Sequence, residues 1–341
     1  MAIVWDKIIR QESTGGLSKP LYAISDDVRL TKAIAETQPL LGGSAQRLVR
    51  DGVDQLWYTV NHHTRQCQDT ARGWVNLIGT KGYQRSDSGL TGYDTQHNGI
   101  AMGTDFCPNN RSVIGVGFAY IDSHADSNTA INQSAKAKNW QLGLYGSKNI
   151  DMTNRIDFNL GWGRAFVEGN RYIGVVQRRA ESDYQANIFR VGVGYSHHQV
   201  LDDLSLDPYF RLDYTRIASD SYTEKGAGAF NLSLNKQTTH YLTTTAGLKA
   251  KIPVNDALNL QTNLAIGYDV HRRGEYAQAA FSGAPEHVFQ VKNQRFGKLS
   301  GEASIGLDYQ LDSSYLGVGM YGQIRRGSRN VSAQFNWGMR Y

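Results

Sequence analysis

The sequence predicts an all-β transmembrane fold, namely a 12-stranded antiparallel outer-membrane β-barrel with an N-terminal α-helix in its lumen. First, apolar and polar residues alternate over segments of about ten residues, many times along the chain. Second, the connections between these segments are short and long in turn. Strands that cross about 25 Å of hydrocarbon at a tilt have this length and alternation, whereas strands of soluble proteins average about five or six residues.

The alternation is sharpest in RIDFNLGWGRAF (155–166), where Ile156, Phe158 and Leu160 lie on one face and polar or small residues on the other. The predicted strands are residues 71–83, 93–106, 112–123, 136–148, 155–167, 183–197, 206–218, 238–252, 257–271, 295–310, 315–325 and 329–341. We find no apolar run near the eighteen or so residues of a membrane-spanning helix, so a closed barrel is the other route across a membrane.

The connections support the barrel independently of the strands. Those after even-numbered strands are short, as in PVND (253–256) and LDSS (311–314). Most after odd-numbered strands are long, as in 219–236 and 273–292. Outer-membrane barrels have short periplasmic turns and longer external loops, so we expect the C-terminus on the periplasmic side, with the last strand closing against the first. A large soluble β-sandwich or propeller is the alternative.

The part of the chain ahead of the barrel is predicted to be helical. The whole chain therefore divides into a linker with a short helix (1–43), a plug helix (44–68) and the barrel (69–341). Ser25-Asp26-Asp27 caps the short helix, and Ser44 opens the second. About twenty helical residues span roughly 30 Å, the height of the barrel. The polar residues of the second helix suit a polar lumen rather than lipid; they are Arg47, Arg50, Asp51, Asp54 and Gln55. An amphipathic helix packed on another domain is the alternative.

The polar faces of the strands provide the predicted lining of the pore. These residues are Arg155, Asp157, Arg190, Arg211, Asp213, Lys249, Asp269, Glu302 and Arg325. Inward charges are also compatible with a channel in which they are simply solvated, so the lining does not by itself require a plug.

The chain from about Ser25 to Tyr341 resembles the translocator unit of monomeric autotransporters, the type V secretion proteins of Gram-negative outer membranes. The resemblance rests on the helix at 44–66, a first strand opening ARGWVNLIG, twelve alternating strands and the closing FNWGMRY. It implies a monomer that contacts outer-membrane lipids, the barrel assembly machinery and its own N-terminal passenger. It also implies an assembly signal at Phe335, Trp337, Met339 and Tyr341, although these residues equally suit a plain lipid-facing strand.

Other functions have weaker support in the sequence. A porin gated by its N-terminal helix and a barrel hydrolase are the alternatives, but no GxSxG motif occurs. His62-His63 and His197-His198 are adjacent pairs that point apart, so we expect no metal site and no cofactor. The 36 basic residues are scattered among 31 acidic ones, which argues against nucleic-acid binding. We therefore expect no enzyme here, with any catalytic activity in a passenger upstream of this fragment.

The next feature concerns cleavage of the linker. Some autotransporters cut their linker at an asparagine inside the barrel; here Asn61 precedes His62, which argues against this cleavage.

Cys67 is predicted just before the first strand and Cys107 in the turn after the second, both at the periplasmic rim. A disulfide there would close about forty residues and add on the order of 4 kcal/mol in the chain-entropy model. Two unpaired thiols remain the alternative.

Overall fold

The computed structural model describes residues 15–40, 45–63, 71–87, 90–274, 276–292 and 296–340. The helices are α1 (Gly15–Tyr22), α2 (Asp27–Glu36) and α3 (Ala45–His63). The strands are β1 (Ala71–Gln84), β2 (Tyr93–Asn109), β3 (Ser112–Ser127), β4 (Gln133–Asn149), β5 (Asn154–Ile173), β6 (Arg178–His197), β7 (Gln199–Leu201), β8 (Leu204–Ser219), β9 (Tyr222–Thr223), β10 (Leu232–Leu234), β11 (Gln237–Pro253), β12 (Leu258–Arg273), β13 (Tyr276–Phe281), β14 (Ala284–Lys292), β15 (Leu299–Gln310), β16 (Ser314–Arg325) and β17 (Ser328–Arg340).

Twelve of these strands form a closed antiparallel barrel, which confirms the predicted fold class. They are β1 to β6, β8, β11, β12 and β15 to β17. The first and last strands pair directly, with Leu77 opposite Phe335. β8 pairs with β11, and the short β7 extends one end of β8. The barrel therefore has no open edge that could recruit another strand.

The wall of the barrel has an apolar outer face and a polar inner face. On β5 the side chains of Ile156, Phe158, Leu160 and Trp162 are 41–48% exposed, whereas Asn159 between them is 1% exposed. Since adjacent residues of a strand point to opposite faces, the exposed residues lie outside and the buried ones inside. Among the described residues, no helix has both the length and the apolar character needed to cross a membrane.

The two ends of the barrel differ. The short turns and Arg340 lie at one end, called the turn end here. One such turn is closed by Asp151, whose side chain accepts hydrogen bonds from Asn154 and from the backbone N–H of Thr153. Those hydrogen bonds, above all from the Asn154 side chain, hold the pKa of Asp151 below its usual range.

The opposite end, called the capped end, carries structure that we did not predict. The long connections 219–236 and 273–292 are not plain loops, since they contribute β9, β10, β13 and β14 to a second, four-stranded sheet. Residues 15–40 also hold two helices, α1 and α2, where the sequence predicted one short helix. Together with the tip of the β5–β6 hairpin these elements form the cap. Its apolar core includes Leu17, Leu21, Ile173, Phe230, Leu232, Phe281 and Phe289.

The predicted plug helix corresponds to α3, which ends at His63. The predicted cap Ser44 and the stretch 64–70 lie outside the described residues. Leu48, Val53 and Trp57 of α3 pack with Ile121 of β3 in one buried cluster, so the helix stands within the barrel. Its first turn lies at the capped end, because Arg47 Nη2 donates to Ser328 Oγ at the start of β17.

Candidate functional site

The candidate site is the interior of the barrel, which α3 occupies. One side of the helix packs closely against the wall of β2, β3 and β4. The helix backbone lies close to β3 at Gly52, since a Cβ at that position would be in ordinary van der Waals contact with the Ile121 side chain, at 3.6 Å. The wall formed by β8, β11, β12, β15 and β16 meets the other, charged side of the helix through ion pairs and leaves a small cavity.

The barrel wall has a recess that accommodates the Trp57 ring. Gly143 of β4 and Gly161 of β5 lie opposite each other across the two strands. A Cβ added to Gly143 would stand 2.7 Å from the indole ring, and one added to Gly161 would stand 2.3 Å from it. The indole Nε1 donates to Gln141 Oε1 at 3.1 Å, so the buried ring also has a polar partner.

Asp269 of β12 is the centre of the charge network. Its carboxylate is completely buried and accepts two hydrogen bonds from Arg50 of α3, at 3.0 and 2.8 Å. Arg272 Nη2 lies 2.5 Å from the same carboxylate and Arg325 Nη1 lies 3.2 Å from it. Thr243 Oγ1 donates a further hydrogen bond at 2.7 Å. One carboxylate thus binds one arginine of the helix, Arg50, and two arginines of the wall, Arg272 and Arg325.

The aromatic rings of Phe296 and Tyr241 cover three arginines, namely Arg47, Arg50 and Arg272. The guanidinium of Arg47 lies 3.8 Å from the centre of the Phe296 ring, and that of Arg272 lies 4.1 Å from it. Arg50 stands 3.9 Å over the Tyr241 ring. Aromatic faces attract cations, so the rings compensate part of the excess positive charge around Asp269. The Arg47 guanidinium also pairs with Asp51 of α3 at 2.6 Å.

A second network continues toward β5, β6 and β8. Asp54 of α3 pairs with Arg190 at 3.0 Å, and Arg190 also pairs with Asp213 at 3.2 Å. Arg211 lies between Asp213, at 3.3 Å, and Asp157. The charges alternate in sign, so helix and wall carry complementary groups along this path.

Neutral side chains fix the helix at two further points. Gln46 Nε2 donates to Ser219 Oγ at 2.9 Å, and its Oε1 accepts from Thr239 Oγ1 at 2.8 Å. Gln55 Oε1 accepts from Ser332 Oγ of β17 at 2.9 Å. Buried amides that are satisfied in this way fix the rotation of the helix within the barrel.

The remaining predicted lining residues lie around this network. Glu302 accepts from Gln323 at 3.1 Å, Lys249 stands 5.1 Å from the Tyr209 ring, and Arg155 is half-buried. A polar cavity of about 80 Å³ lies between α3 and the lining of β8, β11, β15 and β16. A wider vestibule of about 250 Å³ opens beside Tyr58 near the turn end.

The structure adds one residue that strict alternation misses. Even-numbered residues of β12 face outward as far as Val270, so unbroken alternation would place Arg272 outside. The register between β11 and β12 shifts at Leu242 and Thr243, so that Leu242 faces His271 and Thr243 faces Asp269. The resulting β-bulge turns Arg272 into the lumen. Nothing in the local sequence pattern marks this extra residue.

Outside the lumen, a further buried arginine, Arg171, joins the parts of the cap. Arg171 of β5 is completely buried and donates two hydrogen bonds to Glu224, at 3.2 and 2.6 Å. The same guanidinium donates to the carbonyl oxygens of Glu36, at the end of α2, and of Phe230. Arg171 therefore ties residues 15–40 to the rest of the cap. No local sequence pattern marks Arg171, because its partners come from distant connections.

Two groups of predicted residues lie near the turn end. Phe335, Trp337 and Met339 of β17 face outward and are 43, 39 and 41% exposed, while Tyr341 lies outside the described residues. Cys107 is disulfide-bonded, and Cys67 lies outside the described residues, so their pairing remains a prediction. Counting free thiols in the unfolded, non-reduced protein tests it, since two reactive thiols would contradict the bond.

Known proteins share this architecture. A family model described as the autotransporter beta-domain matches residues 73–335. The extracellular serine protease of Serratia marcescens is 23% identical over 277 residues, which are 79% of this chain and 26% of that protein. The putative surface-exposed virulence protein BigA of Salmonella typhimurium is 24% identical over 237 residues, 67% of this chain and 12% of that protein. This chain spans well under two thirds of either relative.

Solved structures agree on the fold. The translocator domain of the autotransporter NalP from Neisseria meningitidis superposes with a TM-score of 0.73 at 16% identity, covering 88% of this chain and 99% of that chain. The transport unit of the autotransporter AIDA-I from Escherichia coli gives a TM-score of 0.58 at 15% identity, covering 82% and 92% of the two chains. At such identities the similarity establishes a shared fold.

Proposed function

Because this chain belongs to the autotransporter beta-domain family, we propose that it anchors an N-terminal passenger in the outer membrane of a Gram-negative bacterium and exports it to the cell surface. The observation that carries this proposal is α3, a charged helix held inside a closed barrel by Asp269 and Asp54. A chain that has passed through the pore ends as such a segment. The family is a transport unit rather than an enzyme, and we assign any catalysis to the passenger.

The proposed orientation places the capped end outside the cell and the turn end, with the C-terminus, in the periplasm. Two features support it: the short turns at one end, and the direction of α3, whose first turn lies near Ser328. In this orientation residues 15–40 lie outside, between the passenger and the barrel.

The proposed division is a linker at 1–43, a plug at 44–68 and a barrel at 69–341. Arg47, Arg50, Asp51, Asp54 and Gln55 act as the plug's polar contacts. The lining residues described above complement them in charge. The closing residues Phe335, Trp337, Met339 and Tyr341 serve as the signal for the barrel assembly machinery, and the translocator works as a monomer in the lipids of the outer membrane.

The test is to place a secretion signal and a small reporter domain ahead of residue 1 and to measure its exposure on intact cells. We expect protease added outside to cut the reporter, while the barrel stays in the membrane and migrates as a folded band on unheated gels. A variant ending at residue 330 is the control, because it lacks most of β17 and cannot close the barrel. A folded barrel with its reporter still in the periplasm would contradict the proposal.

Conductance separates the translocator from a channel. In planar bilayers the whole chain should conduct weakly, and removal of residues 1–66 should open the lumen. Large open currents from the whole chain would instead favour a porin.

A further inference from the structure

The β-bulge that turns Arg272 inward has a second effect on the outside of the barrel. Beyond the bulge, His271 and Arg273 of β12 face outward and are exposed. Without the bulge these two basic residues would point into the lumen, on the same face as Asp269. They lie instead on the outer wall near the capped end, just past the apolar residues Tyr268 and Val270, which are 44 and 47% exposed.

The neighbouring strands add one arginine, Arg216 of β8, and one histidine, His240 of β11, at this position. His240 of β11 is the cross-strand partner of Arg273 on one side and of Arg216 of β8 on the other. The Tyr214 hydroxyl shares a 2.7 Å hydrogen bond with His240 Nδ1 and holds the ring in place. Arg216, His271 and Arg273 are all close enough to act electrostatically on His240, and all three are basic.

In the strand pairings of the described residues, no acidic residue lies opposite Arg216, His240, His271 or Arg273. Within the described part of the chain, no ion pair joins Arg216, His271 or Arg273 to an acidic group. Elsewhere on the outer wall the pattern differs, since Lys138 lies opposite Asp122 and Lys136 lies opposite Glu168. Adjacent like charges repel, so an anion bound beside these residues would lower the repulsion between them.

An apolar groove lies on the same wall, farther from the capped end. It has a volume of about 690 Å³, and its floor is formed by small residues of β15 and β16, namely Gly301, Ala303 and Gly322. Leu264 and Ile266 of β12 form one of its sides. Ile266 is five residues from His271, or roughly 16 Å along the strand. One leaflet of a hydrocarbon core about 30 Å thick has a similar depth.

We propose that Arg216, His240, His271 and Arg273 bind the phosphate-bearing head group of one membrane lipid, whose acyl chains lie in this groove. Arginine recognises phosphate oxygens through two parallel hydrogen bonds, and the two histidines add donors when protonated. The proposal rests on the membrane setting of the proposed function but not on secretion. Failure of lipid binding would leave surface display of a reporter unaffected, so the two ideas fail separately.

The experiment is native mass spectrometry of the whole detergent-solubilised chain, titrated with diphosphorylated lipid A or with phosphatidylcholine. We expect one lipid A molecule to be retained in preference to phosphatidylcholine. The variant Arg216→Gln/Arg273→Gln should bind it about 25-fold more weakly, because each arginine near a membrane surface contributes about fivefold. The variant Ala303→Leu, which fills the groove, should also weaken binding.

The matched control is Lys136→Gln/Lys138→Gln, which removes two cations that have acidic cross-strand neighbours and should leave lipid A binding unchanged. Migration as a folded band on unheated gels verifies that every variant is closed. Equal lipid A binding by the original chain and Arg216→Gln/Arg273→Gln would overturn the proposal. Displacement of lipid A by an equal concentration of inorganic phosphate would also overturn it, since the site would then recognise free phosphate and not a lipid.

Discussion

The lumen and the cap hold successive parts of the same N-terminal segment, but they do so with different chemistry. In the lumen, α3 is joined to the wall by several ion pairs, centred on Asp269 and Asp54. In the cap, α1 and α2 pack on an apolar cluster, with Arg171 and Glu224 as its fully buried ion pair. The lumen holds α3 by apolar packing on one side and by ion pairs on the other, whereas the cap has a mainly apolar core like that of a small soluble domain.

This difference indicates a difference in role. Buried ion pairs add little net stability relative to apolar packing but are costly to break one partner at a time. They therefore select one rotation and height of α3 among many. Apolar burial is nondirectional and contributes about 25 cal/mol per Å² of surface removed from water. We infer that the lumen positions the segment and that the cap retains it.

The largest effect should come from Asp269→Ala, which leaves Arg50, Arg272 and Arg325 without their shared carboxylate. Breaking a buried pair on one side costs about 3–5 kcal/mol, and we expect this loss in the free energy of unfolding. Urea titration in lipid vesicles measures it, and planar-bilayer conductance should rise as α3 loosens. The control is Asp256→Ala in an exposed turn, expected within about 0.5 kcal/mol of the original. If both variants behave alike, the lumen network does not hold the plug.

The next effect, about 3 kcal/mol, is expected for Arg171→Gln, which leaves Glu224 buried without a counter-charge. Here the cap should open while the lumen stays closed, so limited proteolysis within residues 15–40 should accelerate and conductance should not change. Arg179→Gln, at an exposed position of the same hairpin, is the control. The double variant Arg171→Gln/Glu224→Gln should recover part of the loss, because no lone charge remains. A rise in conductance would show that cap and lumen open together.

The comparison also separates what the sequence could predict from what it could not. The ends of the twelve barrel strands were predicted to within six residues, because lipid on one side and polar groups on the other impose a period of two over each long strand. The inward position of Asp269, Arg190 and Arg211 follows from the same period. Their specific partners do not, because the pairing depends on where α3 sits and how far it is rotated.

The cap was missed for a physical reason. Its strands β9 and β10 have only two and three residues, too few for a period to appear. β10 pairs with β9 on one side and with β13 on the other, and β13 is more than forty residues away along the chain. The bulge next to Asp269 could not be predicted either, because one extra residue in a strand does not change the local composition. Contacts made by distant connections and single-residue shifts of register require the assembled structure.

A smaller effect tests the apolar side of the lumen. Gly161→Ala places a methyl group within 2.3 Å of the Trp57 ring, and such overpacking costs about 1–3 kcal/mol. We expect a lower urea midpoint and a changed Trp57 fluorescence spectrum. Gly79→Ala on β1 is the control, because its nearest neighbour, Asn98, is 3.9 Å away. Replacing Trp57 with Leu in the Gly161→Ala background should relieve the crowding. If it does not, the two glycines do not form a recess for the indole ring.

The smallest effect concerns the start of α2 in the cap. Asp26 caps this helix by accepting a hydrogen bond from the backbone N–H of Val28 at 2.7 Å, with a second from Arg29 at 3.4 Å. Asp26→Ala should cost about 1 kcal/mol of helix stability, whereas Asp27→Ala removes an adjacent exposed carboxylate that makes no cap. Hydrogen exchange of the α2 amides should therefore accelerate about fivefold in the first variant only. Protection in α3 should stay unchanged, because the lumen contacts of that helix are independent of the cap; faster exchange there would mean that the two regions act as one unit.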